Sequence, residues 1–204
     1  MDPASPLLWR LCGRSACWFA AFSLWFIFNA PVPLSAAANA GFQVTSAVLA
    51  EGGVFHPEQV YNRSDCHGGN VSPDLRWTAP PTATRSLAVT MFDPDAPSGH
   101  GWWHWTIFNL PPQTRSLVAG AGTPGRARAP GGAVRQARND FGDIGYSGPC
   151  PPPGDRPHRY VITVYALDVP ELAPGQKAPG TAAVAAELER HSLAKTTLTA
   201  RYGG

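Results

Sequence analysis

The chain has 204 residues, enough for one domain with a substantial core and too few for two comfortable ones. Only 15% of residues are charged, 21 are Gly and 22 are Pro, and seven Trp with nine Phe supply apolar area to bury. That balance excludes disorder and favours turns and extended segments over helix, while a net charge of +2 is too small an excess to indicate nucleic acid.

Residues 1–40 read as a separate segment. Arg10 and Arg14 precede an apolar run at 16–28, broken by Ser23. Pro31 and Pro33 follow, and then Ser35-Ala36-Ala37-Ala38-Asn39-Ala40. This is the basic, apolar, small-residue order of a secretory signal, with cleavage expected after Ala40. A membrane anchor is the alternative, but the run is about a dozen residues where a span needs about 20. The expected mature domain is 41–204, periplasmic or secreted. It keeps two cysteines, Cys66 and Cys150. In an oxidising compartment these most simply form one disulfide, two small buried thiols being the alternative.

Short strands are expected within 42–49 and at 75–77. Residues 85–93 alternate, placing Leu87, Val89, Met91 and Asp93 on one face. Residues 103–110 are aromatic and β-branched, and Pro111-Pro112 closes them. The Gly/Ala/Pro stretch at 118–138 carries Arg126, Arg128, Arg135 and Arg138. Without an interleaved aromatic it reads as a solvated loop rather than a basic arm. Its formal G-x-G-x-x-G at 120–125 contains Pro124 and opens no helix, so it is discarded. Residues 159–168 make the clearest strand. Pro179-Gly180-Thr181 supplies a stop and an N-cap for a helix over 182–193, with Val184 and Leu188 on its apolar face. Strands followed by one late helix predict a β-sandwich core with a terminal helix.

Unusual polar residues gather at the strand ends. Asp93 sits where its strand must stop before Pro94, at a sheet rim. His104 stands near the start of the next strand. His158 and Tyr160 share a face, because the side-chain period of a strand is two. One Asp, two His and a Tyr at a rim form a candidate pocket. Trp102, Trp103 and Trp105 are expected to line or support it, some as plain core. His56, His67, His100 and His191 have no partner that the sequence identifies.

Read together, Asp93-Pro94-Asp95-Ala96-Pro97, then His104 before an apolar strand, then Gly148-Pro149-Cys150-Pro151-Pro152, then His158-Arg159-Tyr160, resemble the phosphatidylethanolamine-binding protein family, also called Raf kinase inhibitor protein-like. Cys66-His67-Gly68-Gly69-Asn70 through Trp77, and Asn139-Asp140-Phe141-Gly142 leading to Tyr146, are similar to its bacterial YbhB/YbcL-type branch. The resemblance covers about 42–202. It implies a mainly β fold: a large central antiparallel sheet packed on a smaller one, with a C-terminal helix. It implies a pocket for phosphate, acetate or a phospholipid head group, held by Asp93, His104, His158 and Tyr160 and completed by the backbone around Gly148 and Cys150. Pro149, Pro151 and Pro152 have no N–H, so Gly148 and Cys150 are the expected main-chain donors. A histidine with a pKa near the usual value of about 6.5 gains charge in mild acid and adds a donor to phosphate. Asp93 fits beside an anion if it holds a His proton, is protonated, or meets an ammonium group.

Other readings compete. Asp93-Pro94-Asp95 alone is an ordinary turn. Asp93, His104 and His158 would make a three-ligand metal set, but no H-E-x-x-H run occurs. His100 and His104 lie about 13 Å apart in extended chain, too far to share an ion. Gly145-Tyr146-Ser147-Gly148 has the wrong spacing for a nucleophile elbow, and a disulfide would consume the Cys150 thiol. No complete catalytic constellation remains, so a non-enzymatic binder of a phosphorylated or zwitterionic small molecule is expected, as a monomer or homodimer. No cofactor or nucleic acid is expected. A protein-docking module of the kinase- or protease-inhibitor kind is the alternative, and a metal-assisted hydrolase the third reading.

Overall fold

The computed structural model of the chain describes residues 41–123, 134–174 and 179–203. The expected secretory segment at 1–40, Arg126, Arg128 and the last two positions of the G-x-G-x-x-G run lie outside them.

Among the described residues eight strands and one α-helix follow in chain order, with a single 3-10 turn at Pro57–Gln59: β1 (Val44–Thr45), β2 (Leu75–Trp77), β3 (Ser86–Asp93), β4 (Trp102–Leu110), β5 (Ser116–Leu117), β6 (Arg135–Gln136), β7 (His158–Leu167), α1 (Thr181–Arg190) and β8 (Ser192–Tyr202). Strands β6-β4-β3-β7-β8 form a five-stranded antiparallel sheet, and β1-β2-β5 a three-stranded one.

Alternation assigns the two faces of the large sheet. Leu87, Val89 and Met91 of β3, with Trp105 and Ile107 of β4 and Ile162 and Val164 of β7, join Val44, Leu75, Trp77 and Leu117 of the small sheet in one core. The opposite face presents Ala88, Phe108, Tyr165 and Leu167, which pack with Val184 and Leu188 of α1. Layers on both sides explain why β3 is buried at every position but Phe92.

The helix starts at Thr181, with Gly180 rather than Thr181 at its N-cap. The Thr181 hydroxyl donates instead to the Arg138 carbonyl at 3.1 Å. The helix ends at Arg190, not 193, because Ser192 already pairs with Leu167 in a strand that the sequence reading did not anticipate. That strand, β8, is the last strand of the sheet beside β7, and its other side is covered by the 52–55 segment: the Gly52 and Phe55 amides donate to the Thr199 and Arg201 carbonyls at 2.7 and 2.9 Å, and the Arg201 amide to the Gly53 carbonyl at 2.8 Å. Cys66 and Cys150 are bonded, with Sγ atoms 2.11 Å and Cα atoms 5.9 Å apart, which decides between the two cysteine readings. Among the described residues no helix is long and apolar enough to cross a membrane.

Register gathers the candidate pocket. Asp93 lies opposite Trp102, and Phe92 opposite Val161. The end of β3 and the starts of β4 and β7 therefore meet at one rim.

Candidate functional site

At that rim a cavity of about 390 Å³ is lined by Asp93, Ala96, Pro97, Ser98, Trp102, His104, Phe141, Cys150, Pro151, Pro152 and His158. Four of the six sequence-predicted site residues line it. Tyr160 and Gly148 do not.

Asp93 is buried at the last position of β3, and both its oxygens are engaged. Oδ1 accepts the Asp95 N–H at 2.8 Å, as Asp does in a tight turn, and Oδ2 lies 2.8 Å from His158 Nδ1. Of the three roles open to Asp93, the one that this contact suits is holding a histidine proton.

His104 is the third residue of β4 and is buried. Its Nδ1 is 2.8 Å from the Ser147 carbonyl and 3.1 Å from the Gly148 carbonyl. Carbonyls only accept, so Nδ1 carries the proton and Nε2 is left for the cavity. Burial pushes the ring's pKa down, an effect opposed by the Ser147 carbonyl, the Asp93 charge and the Gly148 carbonyl. Neutral His104 therefore offers the cavity a lone pair, not the charged donor expected from the sequence.

Gly148 stands behind His104. Its N–H donates to Asn70 Oδ1 at 2.8 Å and its carbonyl faces the His104 ring, so it is not a free main-chain donor. A Cβ at this position would meet the Gln59 carbonyl oxygen at 2.0 Å and the Tyr61 nitrogen at 2.6 Å, which explains the glycine by close backbone approach. Cys150 follows two residues on, its thiol consumed by Cys66.

Tyr160 packs edge-on against the His104 ring, with centroids 5.1 Å apart, and is fully buried. Among the described residues its hydroxyl has no hydrogen-bond partner. Burial and then the charge of Asp93 raise its pKa. The Cys150 amide pulls the other way without forming a bond of ordinary geometry. Trp102 Nε1 is likewise buried and without a partner among the described residues, and Trp102 lines the cavity.

Two amides outside the cavity hold its walls. Asn139 Nδ2 donates to the carbonyls of His104 (3.2 Å) and Gly145 (3.0 Å) and to Ser147 Oγ (2.9 Å), while its Oδ1 accepts from the amides of Phe141 and Asp143, both at 3.0 Å. This hub carries Phe141 to the His104 ring, 5.3 Å between centroids. Asn70 does the same for Gly148. The 139–142 and 66–77 motifs thus act as supports. Sequence reasoning missed Asp155, whose Oδ2 lies 3.3 Å from His158 Nε2. It also left His191 unpartnered, where the structure pairs it with Asp168 at 2.9 Å.

Among the described residues no three His, Cys, Asp or Glu side chains are grouped so that they could hold a metal ion. The Asp93, His104 and His158 set fails because His158 turns both nitrogens to carboxylates and His104 turns Nδ1 to carbonyls.

Comparison with known proteins places the chain in a family. Residues 45–203 match the sequence profile of the family described as phosphatidylethanolamine-binding protein. The UPF0098 protein YbcL of Escherichia coli is 42% identical over 163 residues, covering 80% of this chain and 88% of YbcL. The UPF0098 protein YbhB of the same organism is 44% identical over 154 residues, covering 76% of this chain and 95% of YbhB. The crystal structure of E. coli YbcL, described as a new member of the mammalian PEBP family, superposes with a TM-score of 0.76 at 40% identity, covering 80% of this chain and 98% of that one.

Proposed function

The chain belongs to the phosphatidylethanolamine-binding protein family, and from that premise we propose that it binds a small phosphate-bearing anion, free or as a phospholipid head group, in the Asp93–His104–His158 cavity. The observation that carries this reading is Trp102, a residue lining that cavity, whose buried Nε1–H has no acceptor among the described residues. Buried polar groups are normally satisfied, and each one left unpaired costs about 1–3 kcal/mol. A ligand oxygen against Trp102 removes that cost. The Tyr160 hydroxyl, unpartnered beside His104, adds a second group of the same kind.

His104 refines the ligand. Its Nε2 lone pair suits an oxygen that still carries a proton, and a phosphate monoester keeps one on about half its molecules near pH 6. A singly protonated phosphate donates to His104 and accepts from Trp102. We also assign the domain to an oxidising, extracytoplasmic compartment, which the Cys66–Cys150 bond supports.

Calorimetric titration with inorganic phosphate and with phosphorylethanolamine, at pH 6 and pH 8 and with chelator present, tests the reading. Saturable binding, tighter at pH 6 and weakened roughly tenfold in Trp102→Phe, is expected. No binding, or binding that chelator abolishes, overturns it.

A further inference from the structure

His158 is enclosed by two carboxylates of unequal standing. Its Nδ1 lies 2.8 Å from Asp93 Oδ2 and its Nε2 lies 3.3 Å from Asp155 Oδ2. The Asp93 and His158 side chains are both almost fully buried, whereas Asp155 is 41% exposed and reaches the ring from the solvent side. Both nitrogens can donate at once only when each carries a proton. The outward nitrogen of this cavity-lining histidine thus already faces a carboxylate of the protein's own at ion-pair distance.

The backbone holds that carboxylate in place. In Pro152-Pro153-Gly154-Asp155 the Asp155 amide donates to the Pro152 carbonyl at 3.2 Å, and Gly154 has φ of +86°. Proline at the second position and a left-handed glycine at the third are the chemistry of a type II turn. Pro152, at the base of this turn, also lines the cavity. Among the described residues no arginine pairs with Asp155: Arg159 and Arg156 are drawn to Asp95 instead, Arg159 through Nε and Nη2 at 2.8 Å each and Arg156 at 3.5 Å. Among the described residues His158 is the one polar partner of the Asp155 side chain.

We propose that Asp155 is a specificity-determining residue of this pocket, a built-in carboxylate that occupies the anion position on His158 Nε2 and that a ligand's anionic oxygen must displace. The proposal rests on the anion-pocket reading above and deepens it. A ligand that offers one carboxylate merely exchanges like for like. A phosphate brings more charge and three acceptor oxygens, and Trp102, whose N–H lacks a partner among the described residues, lines the same cavity. Asp155 thereby turns a general anion pocket into one selective for phosphate-bearing ligands.

The test is titration of wild type, Asp155→Asn and Asp155→Ala with inorganic phosphate at pH 7. Asp168→Asn serves as the control for net charge. Asp168 is exposed and ten residues along from His158, about 33 Å in extended strand. Both Asp155 variants are expected to bind phosphate roughly tenfold more tightly than wild type, the scale of one charge-assisted hydrogen bond, with Asp168→Asn unchanged. Affinity unchanged or weakened in the Asp155 variants, or tightened equally in the control, overturns the proposal. If no protein in the set binds phosphate, the pocket reading itself fails and the displacement with it.

Discussion

His158 Nδ1 and Asp93 Oδ2 lie 2.8 Å apart, joining the first residue of β7 to the last residue of β3 where water scarcely reaches. Removing one member of a buried charge-bearing pair leaves the other without a partner, and that costs more than the pair contributes while intact. Asp93→Ala also takes the acceptor from the Asp95 amide. The variant should lose about 3 kcal/mol of stability, read as a lower urea midpoint, and should no longer bind phosphate. Asp93→Asn keeps the shape and should fall between the two.

His104 gives the fold a pH dependence of defined sign. Burial holds its folded pKa below 6.5, so the folded state takes up a proton less readily than the unfolded chain. The unfolded state then binds more protons below about pH 6.5, and stability must fall as pH falls through that range. His104→Asn places an amide near Nδ1 to serve the Ser147 and Gly148 carbonyls but cannot titrate. Unfolding free energy measured from pH 7.5 to pH 5 should decline more steeply in wild type than in this variant.

Gly148 is where two backbone segments touch. In Gly148→Ala the new methyl would sit 2.0 Å from the Gln59 carbonyl oxygen, so one segment must retreat. Overpacking of this kind costs about 1–3 kcal/mol. The retreat also moves the carbonyl that holds His104 Nδ1. Reduced thermal stability together with weaker phosphate binding is the expected pair of results, whereas Gly142→Ala, with open space around it, should leave binding intact despite its positive φ.

The Cys66–Cys150 bond closes a long loop, with a sequence separation of 84, and ends in the cavity wall. Chain entropy alone assigns such a cross-link about 4 kcal/mol. A Cys66→Ala/Cys150→Ala variant should unfold at markedly lower denaturant and bind phosphate less tightly, and reductant should reproduce both effects in wild type.

The long strands were legible because β-branched and aromatic residues run between Pro and Gly stops; β3, β4 and β7 begin within one residue of their expected starts. Asp93, His104 and His158 were legible for a related reason, since each is a polar residue at the end of an apolar strand. β8 was not. Its Thr and Lys residues show little apolar alternation, because only Leu198 and Ala200 of its eleven positions are buried. Gly148 was read as a donor because its amide acceptor, Asn70, lies 78 positions away in sequence. Asp155 was not singled out at all, although it lies only three residues before His158, because the tight turn at 152–155 that brings its carboxylate back to the ring is visible only in the fold.

The most direct test follows the Trp102 indole N–H by ¹H–¹⁵N NMR while inorganic phosphate is added at pH 6, with Trp102→Phe used to assign the signal. The indole resonance should move downfield and saturate with the same dissociation constant that calorimetry reports, while the Trp105 indole, bonded to Gln136 at 2.7 Å, stays nearly still. A Trp102 signal that does not respond while phosphate binds would place the anion elsewhere and contradict the account.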